Sequence, residues 1–442
     1  MKRLIICLLI LSMLVSMFSC AEAPAVSKTE EAANQTVENA ETEEAKETAV
    51  TETAEADPVY NEKVSEPLTP ERVAQIPIAN SSMTTDELRQ ICVDYVCLST
   101  TFQWLPSKTF TYVTSSVNLD VKFYEGKLYG GIPYVNIASG NLYRVLEMYD
   151  PETGIMNIDN FAENSDKKIY FGTACSGTAC WGWGRVVNSA DLRWTSNMNQ
   201  KHGFIPVGPY TYDASIAVYG ENGAEDCKPI CRRNGQQTMF ESYALLQKAD
   251  CIVNQGHVRM IKGVHVVRNA DGTINGDESY AIQCEQGLYT TDASHDRVAA
   301  DGTVYKIQGQ DHMETSFSAL FESGYLPHTF AEFLGTDPVE PGIVHIDHSG
   351  PTISASDVKD GILSANYNIS DVFTVVKNEQ GEEVYRYAYR CEQHFDRAAG
   401  LSKAISAGAL QTFSRQGNHT VDILVQLSNG ELITAYSGAL VA

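Results

Sequence analysis

FGTACSGTACWGWG occupies positions 171–184. Two thiols, Cys175 and Cys180, stand five residues apart among small residues, and two tryptophans follow. The preceding KIYFGTA (168–174) reads as a short strand, and the segment from Cys175 towards Val187 reads as a helix, although Gly177, Gly182 and Gly184 weaken it. A thiol at a helix N-terminus is the arrangement that favours a thiolate, because unsatisfied N–H groups and the helix dipole stabilise negative charge there. Cys175 meets that demand, and Ser176 and Gly177 beside it are small enough to let a substrate backbone approach. Cys180 lies a turn and a half into the same helix, facing elsewhere, so Cys175 is preferred as the nucleophile. Ordinary buried packing is the alternative for both, and the rest of the chain has to decide.

A thiolate nucleophile needs an imidazole as proton acceptor and a polar group to orient that imidazole. Residues 245–286 offer both. Gly256-His257-Val258 opens a strand, VHVVRNADGTI forms a hairpin around Asp271-Gly272, and SYAIQCEQ is a further strand containing Glu285. On neighbouring antiparallel strands, His257 and Glu285 can share one sheet face. His265, eight residues along the same strand, competes with His257. Gln283 and Gln286 compete with Glu285 as the orienting group.

The chain has 442 residues, long enough for two folded domains plus extras. Lys2-Arg3 and the apolar run LIICLLILSMLVSMFS up to Cys20 read as an export signal too short to anchor stably across a bilayer. Ser19-Cys20 resembles the lipid-attachment box of bacterial lipoproteins, with Met17 and Phe18 departing from its usual pattern; Cys20 is the expected lipidation site. Residues 21–60 hold eleven acidic and two basic residues and no aromatic before Tyr60. Such a stretch cannot bury enough apolar surface to fold, so 21–66 reads as an acidic tether. A net charge of −24 argues against nucleic acid as a partner. Without Cys7 and Cys20, nine cysteines remain, an odd number that implies at least one free thiol in an exported chain. Cys227 and Cys231 lack a second ligand pair at zinc-finger spacing, so no metal site is expected.

Residues 84–105 read as a helix opened by a Thr84/Glu87 capping box and stopped by Pro106, and a second helical stretch lies near 141–148. Elements of both kinds mix up to about 338, which predicts an α+β domain over 67–340. After DPVEPG (337–342) the pattern turns to period two. VFTVVK and VYRYAYR flank NEQGEE, and VDILVQL precedes Asn429-Gly430, both hairpin signals. Residues 345–442 are therefore expected to form a small all-β, Ig-like sandwich serving as an accessory or spacer module.

ACSG (174–177), GHV (256–258) and CEQ (284–286) resemble the ordered Cys, His and polar-residue blocks of NlpC-type and CHAP-type papain-like peptidases, which cut bacterial cell-wall peptides. Gly131-Ile132-Pro133-Tyr134 resembles the Gly-x-Pro-Tyr that precedes the nucleophile in NlpC-type enzymes, whereas TACW, similar to the Cys-Trp of plant-type thiol proteases, speaks for the rival Cys180. The likeness covers about 120–335. Ala174 departs from it, since the family usually has Asp before the Cys. The resemblance implies Cys175 as nucleophile, His257 as base, Glu285 as orienter, and Tyr134 and Ser176 near substrate, with no cofactor. It implies an exported, lipid-anchored bacterial monomer hydrolysing peptide or amide bonds of peptidoglycan. Residues 188–240, between the Cys and His blocks, read as an insertion that shapes a wall or lid. A catalytically inactive lipoprotein that binds cell wall or carbohydrate, and amide chemistry such as transfer, are the alternative readings.

Overall fold

The computed structural model describes residues 59–114, 119–134, 140–160, 172–213, 227–254, 256–287, 296–348, 350, 352–390, 396–413 and 419–441. The expected signal, the Cys20 attachment site, the tether up to residue 58, Cys391, most of the KIYFGTA strand and residues 214–226 lie outside them. Residues 56–442 form one compact unit of mixed α+β structure.

Its centre is a six-stranded antiparallel sheet built from β1 (Ile205–Pro206), β2 (Cys251–Asn254), β3 (His257–His265), β4 (Tyr280–Gln286), β5 (Gly309–Ser316) and β6 (Leu326–Thr329) in the order β5-β4-β3-β2-β6-β1. Asn254 pairs with His257, so β2 and β3 are joined by a two-residue turn whose second residue, Gly256, has φ +86°. That conformation is open to glycine at little cost, and it makes His257 the first residue of its strand.

Two helices cover this sheet: α1 (Thr85–Thr101) and α3 (Cys175–Trp183), with α2 (Leu142–Met148) between them in sequence. The capping box at the head of α1 is present: the Thr84 hydroxyl accepts from Glu87 N, and the Glu87 carboxylate accepts from Thr84 N at 2.8 Å. Leu88, Ile91, Cys92, Tyr95 and Val96 form its buried face. The helix stops at Thr101, not at Pro106, because Gln103–Pro106 is itself a buried strand paired with Tyr129–Gly130 and Ile155–Met156. Proline fits at the end of such a short strand. Gly182 explains why glycine is tolerated inside α3: a β-carbon there would lie 2.5 Å from Val96 Cγ2, so α1 and α3 approach closely only without one.

Two boundaries differ from the sequence reading. Residues 60–66, expected in the tether, are held on the folded unit: Glu62 N donates to Gly126 O at 3.0 Å and Ser65 N to Gln103 Oε1 at 3.0 Å, while Val64 packs beside Leu105 and Leu128. The expected lid at 188–240 is largely core in its described parts. Leu192, Met198, Phe204 and Tyr210 are buried, Ile205–Pro206 is the edge strand β1, and Cys227, Ile230 and Cys231 are buried on the helix Cys227–Asn234.

The C-terminal region carries its own hydrophobic cluster, from Ile346 to Leu427. β7 (Ile369–Lys377), β8 (Glu383–Arg390), β9 (Thr420–Leu427) and β10 (Leu432–Gly438) form an antiparallel sheet in the order β8-β7-β9-β10, with the 378–382 and 428–431 turns where the hairpin signals lie. A three-stranded sheet adds Val344–Ile346, Ile362–Ala365 and Ala398–Gly400. The region is not all-β as expected, because α4 (Leu401–Ala404) and α5 (Ala407–Phe413) pack on β7 and β8, and a further helix spans Ala355–Asp360.

Nor is it a loose spacer. Arg144 on α2 donates from Nε to Asp371 Oδ1 at 3.1 Å and from its terminal nitrogen to Ser370 O at 2.7 Å, all buried. Arg397 donates to Asn188 O and Ala190 O, each at 2.8 Å. The Ser428 hydroxyl donates to Gly184 O at 3.0 Å, which answers the C-cap carbonyl of α3. Gly430 lies at φ +99° against Arg185, where a β-carbon would fall 2.1 Å from a guanidinium nitrogen.

Candidate active site

Cys175 is the first residue of α3, after Ala174 in extended conformation at the N-cap. Ala174 offers no side-chain cap, so the free N–H groups of the first turn face the end where the sulfur sits. The Cys175 sulfur is buried and lies 3.9 Å from Gly256 O. The His257 side chain and the backbone N–H groups of Val258 and Ser176 lie near enough to act on its acidity. The β2–β3 turn therefore brings the imidazole to the helix head.

His257 Nε2 meets Glu285 Oε2 at 2.5 Å. That leaves Nδ1 as the nitrogen for the sulfur. Glu285 lies on β4, adjacent to β3 in the sheet, so the three side chains converge as the sequence reading expects. Burial alone would push the Cys175 thiol up. The His257 charge and hydrogen bond, with the two backbone donors, outweigh it and hold the thiol below its ordinary value. Burial disfavours a charged His257, yet the Cys175 and Glu285 negative charges and hydrogen bonds raise it to about 10. Burial likewise opposes ionisation of Glu285, but His257 and Arg259 keep it below its usual range. All three shifts run in the direction that favours a thiolate–imidazolium pair backed by a carboxylate.

The competitors separate cleanly. Cys180 is buried, with its sulfur 3.3 Å from Arg193 O, and burial drives its thiol well up. His265 is at the far end of β3, exposed and stacked on Tyr280 at 4.9 Å. Gln283 Oε1 accepts from Arg259 at 3.3 Å. Gln286 Nε2 donates to Ile132 O at 2.6 Å and so holds the Gly131–Tyr134 segment. Tyr134 forms a parallel bridge with Thr173, two residues before the nucleophile, and is half-buried. Ser176 is buried in the first turn of α3 and presents its N–H to the sulfur.

Sequence reasoning missed Arg259. Its Nε donates to Glu285 Oε2 at 2.8 Å, and its guanidinium lies 4.9 Å over the Tyr325 ring. The signal was present: residues two apart on a strand share a face, so Arg259 had to accompany His257. Among the described residues, no group of three or more His, Cys, Asp or Glu side chains is placed to hold a metal ion, and no helix is long and apolar enough to cross a membrane.

Comparison of the chain with protein-family models, with curated proteins and with solved structures finds no match.

Proposed function

We propose that the chain is a papain-like cysteine peptidase or amidase that hydrolyses peptide or amide bonds of bacterial peptidoglycan. The observation that carries this reading is the convergence of Cys175, at the head of a helix, with His257 at the start of the neighbouring strand and Glu285 hydrogen-bonded to His257 at 2.5 Å. The ordered sequence blocks of the papain-like resemblance support it, and so does the export signal read at the N-terminus.

In the mechanism, the Cys175 thiolate attacks the substrate carbonyl carbon. The oxyanion develops at the N-terminus of α3, where backbone N–H groups are aimed at negative charge. The His257 imidazolium gives its proton to the leaving amine. Neutral His257 then takes a proton from water, which attacks the thioester and regenerates the thiol. Glu285 keeps the ring aligned and stabilises its charged form. Tyr134, half-buried and bridged to the segment that leads into the nucleophile, and Ser176 beside the sulfur are the residues the resemblance puts near substrate. A lipid on Cys20 and the acidic tether would keep this site on the outer face of the membrane, within reach of the wall.

The test is digestion of purified peptidoglycan with the protein, reading the released fragments by mass. New amino termini that vanish in Cys175→Ala support the reading. Intact peptidoglycan with the parent protein, or equal digestion by Cys175→Ala, overturns it.

A further inference from the structure

A second pair of thiols lies outside the triad. Cys97 is in the last turns of α1 and is partly exposed, and Cys284 is fully buried on β4, one residue before Glu285. The Cys97 sulfur lies against Asp311 of β5, which stands at the bulge facing Cys284 on β4, so the two thiols meet where α1 packs on β4 and β5 and act on one another's acidity. The Cys97 sulfur is 4.0 Å from Asp311 O, and the Lys262 ammonium donates to that same carbonyl oxygen, so a cation stands beside the pair. One thiol is within reach of a reagent and its partner is shielded behind it.

We infer that Cys97 and Cys284 are a reversible dithiol–disulfide pair that ties α1 to the strand carrying Glu285, with Cys97 as the attacking thiol and Cys284 as the resolving one. The two differ in acidity in that sense: the hydrogen bond from Cys284 and then the Lys262 charge favour the Cys97 thiolate, against burial, while Cys284, as donor, is raised. The oxidant is a disulfide, RS–SR, of a small thiol or a partner protein. The Cys97 thiolate attacks one of its sulfurs, forming a mixed disulfide and expelling RS⁻, which takes up a proton. Cys284 loses its proton to solvent and attacks the Cys97 sulfur, expelling the second RS⁻. The two cysteines are oxidised by two electrons, and RS–SR is reduced to two RSH. The bridge joins two elements already packed together, so no large movement of either is needed.

The test uses the full chain, equilibrated with mixtures of reduced and oxidised glutathione, quenched by alkylation and mapped by peptide mass without reduction. The expected result is a linked peptide pair containing Cys97 and Cys284 that grows with the oxidised fraction and disappears on reduction. Cys284→Ser should stop at glutathione bound to Cys97, and Cys97→Ser should leave Cys284 unmodified. Recovery of both peptides in alkylated form at every ratio, or linkage of either residue to a different cysteine, overturns the inference. None of these readouts depends on peptidase activity.

Discussion

Glu285 presents one carboxylate oxygen, Oε2, to two cations at once: His257 Nε2 at 2.5 Å and Arg259 Nε at 2.8 Å. The carboxylate is thus shared, and its pull on the imidazolium is moderated by the guanidinium. Opposite charges nearby favour ionisation and like charges oppose it. Glu285→Gln should therefore lower the pH at which His257 loses its proton, and Arg259→Gln should raise it, each by about one unit. Titration of the His257 ring followed by NMR would show the two variants moving its deprotonation in opposite directions. A shift in the same direction would contradict the shared-oxygen arrangement.

The thiolate–imidazolium pair has a definite pH window. The raised His257 contributes stability in full below its ordinary 6.5 and loses it as pH rises through about 10. The depressed Cys175 contributes in full above its ordinary 9.0 and loses it as pH falls through its lowered value. Both groups are charged between those two folded-state limits. Fast alkylation of Cys175 should begin below the range of an ordinary thiol, with Cys180 unlabelled throughout. Peptide mapping after timed labelling checks both statements.

The C-terminal region should be coupled energetically to the rest. Asp371 is buried between Arg144 and Arg390. Asp371→Ala leaves the buried Arg144 charge without its partner, and should cost about 3–5 kcal/mol. The Arg144→Met, Asp371→Leu double variant should cost less than either single change, because no charge is left buried alone. Urea denaturation of the three proteins measures it.

Gly430→Ala places a β-carbon at a left-handed position and against Arg185. It should destabilise the protein by about 1–3 kcal/mol, visible as a lower midpoint of thermal unfolding. Exposed Gly272, also at positive φ (+85°) but with open space around it, should suffer only the backbone part of that penalty. An equal loss at both positions would deny the Arg185 contact.

The parts of the structure that depend on neighbours in sequence were readable. Thr84 and Glu87 cap α1, Gly256 forces the turn that places His257, and Asn429-Gly430 closes a hairpin, each by chemistry confined to a few residues. What escaped depends on pairing across long separations. Gln103–Pro106 becomes a strand only because Tyr129–Gly130 and Ile155–Met156 lie beside it. LSKA at 401–404 carries no strong helix signal, and it becomes helical where it packs on β7 and β8. Residues 188–213 look like an insertion until Phe204 and Tyr210 are seen buried against β6 and its neighbours. The docking of Ser428 on Gly184 leaves no mark in either segment.

That last contact spans 244 residues. The carbonyl at the tail of the Cys175 helix gets its hydroxyl only once the ribosome has passed Ser428. A nascent or truncated polypeptide that ends before that residue therefore holds its reactive sulfur on a helix whose tail carbonyl still lacks this hydroxyl.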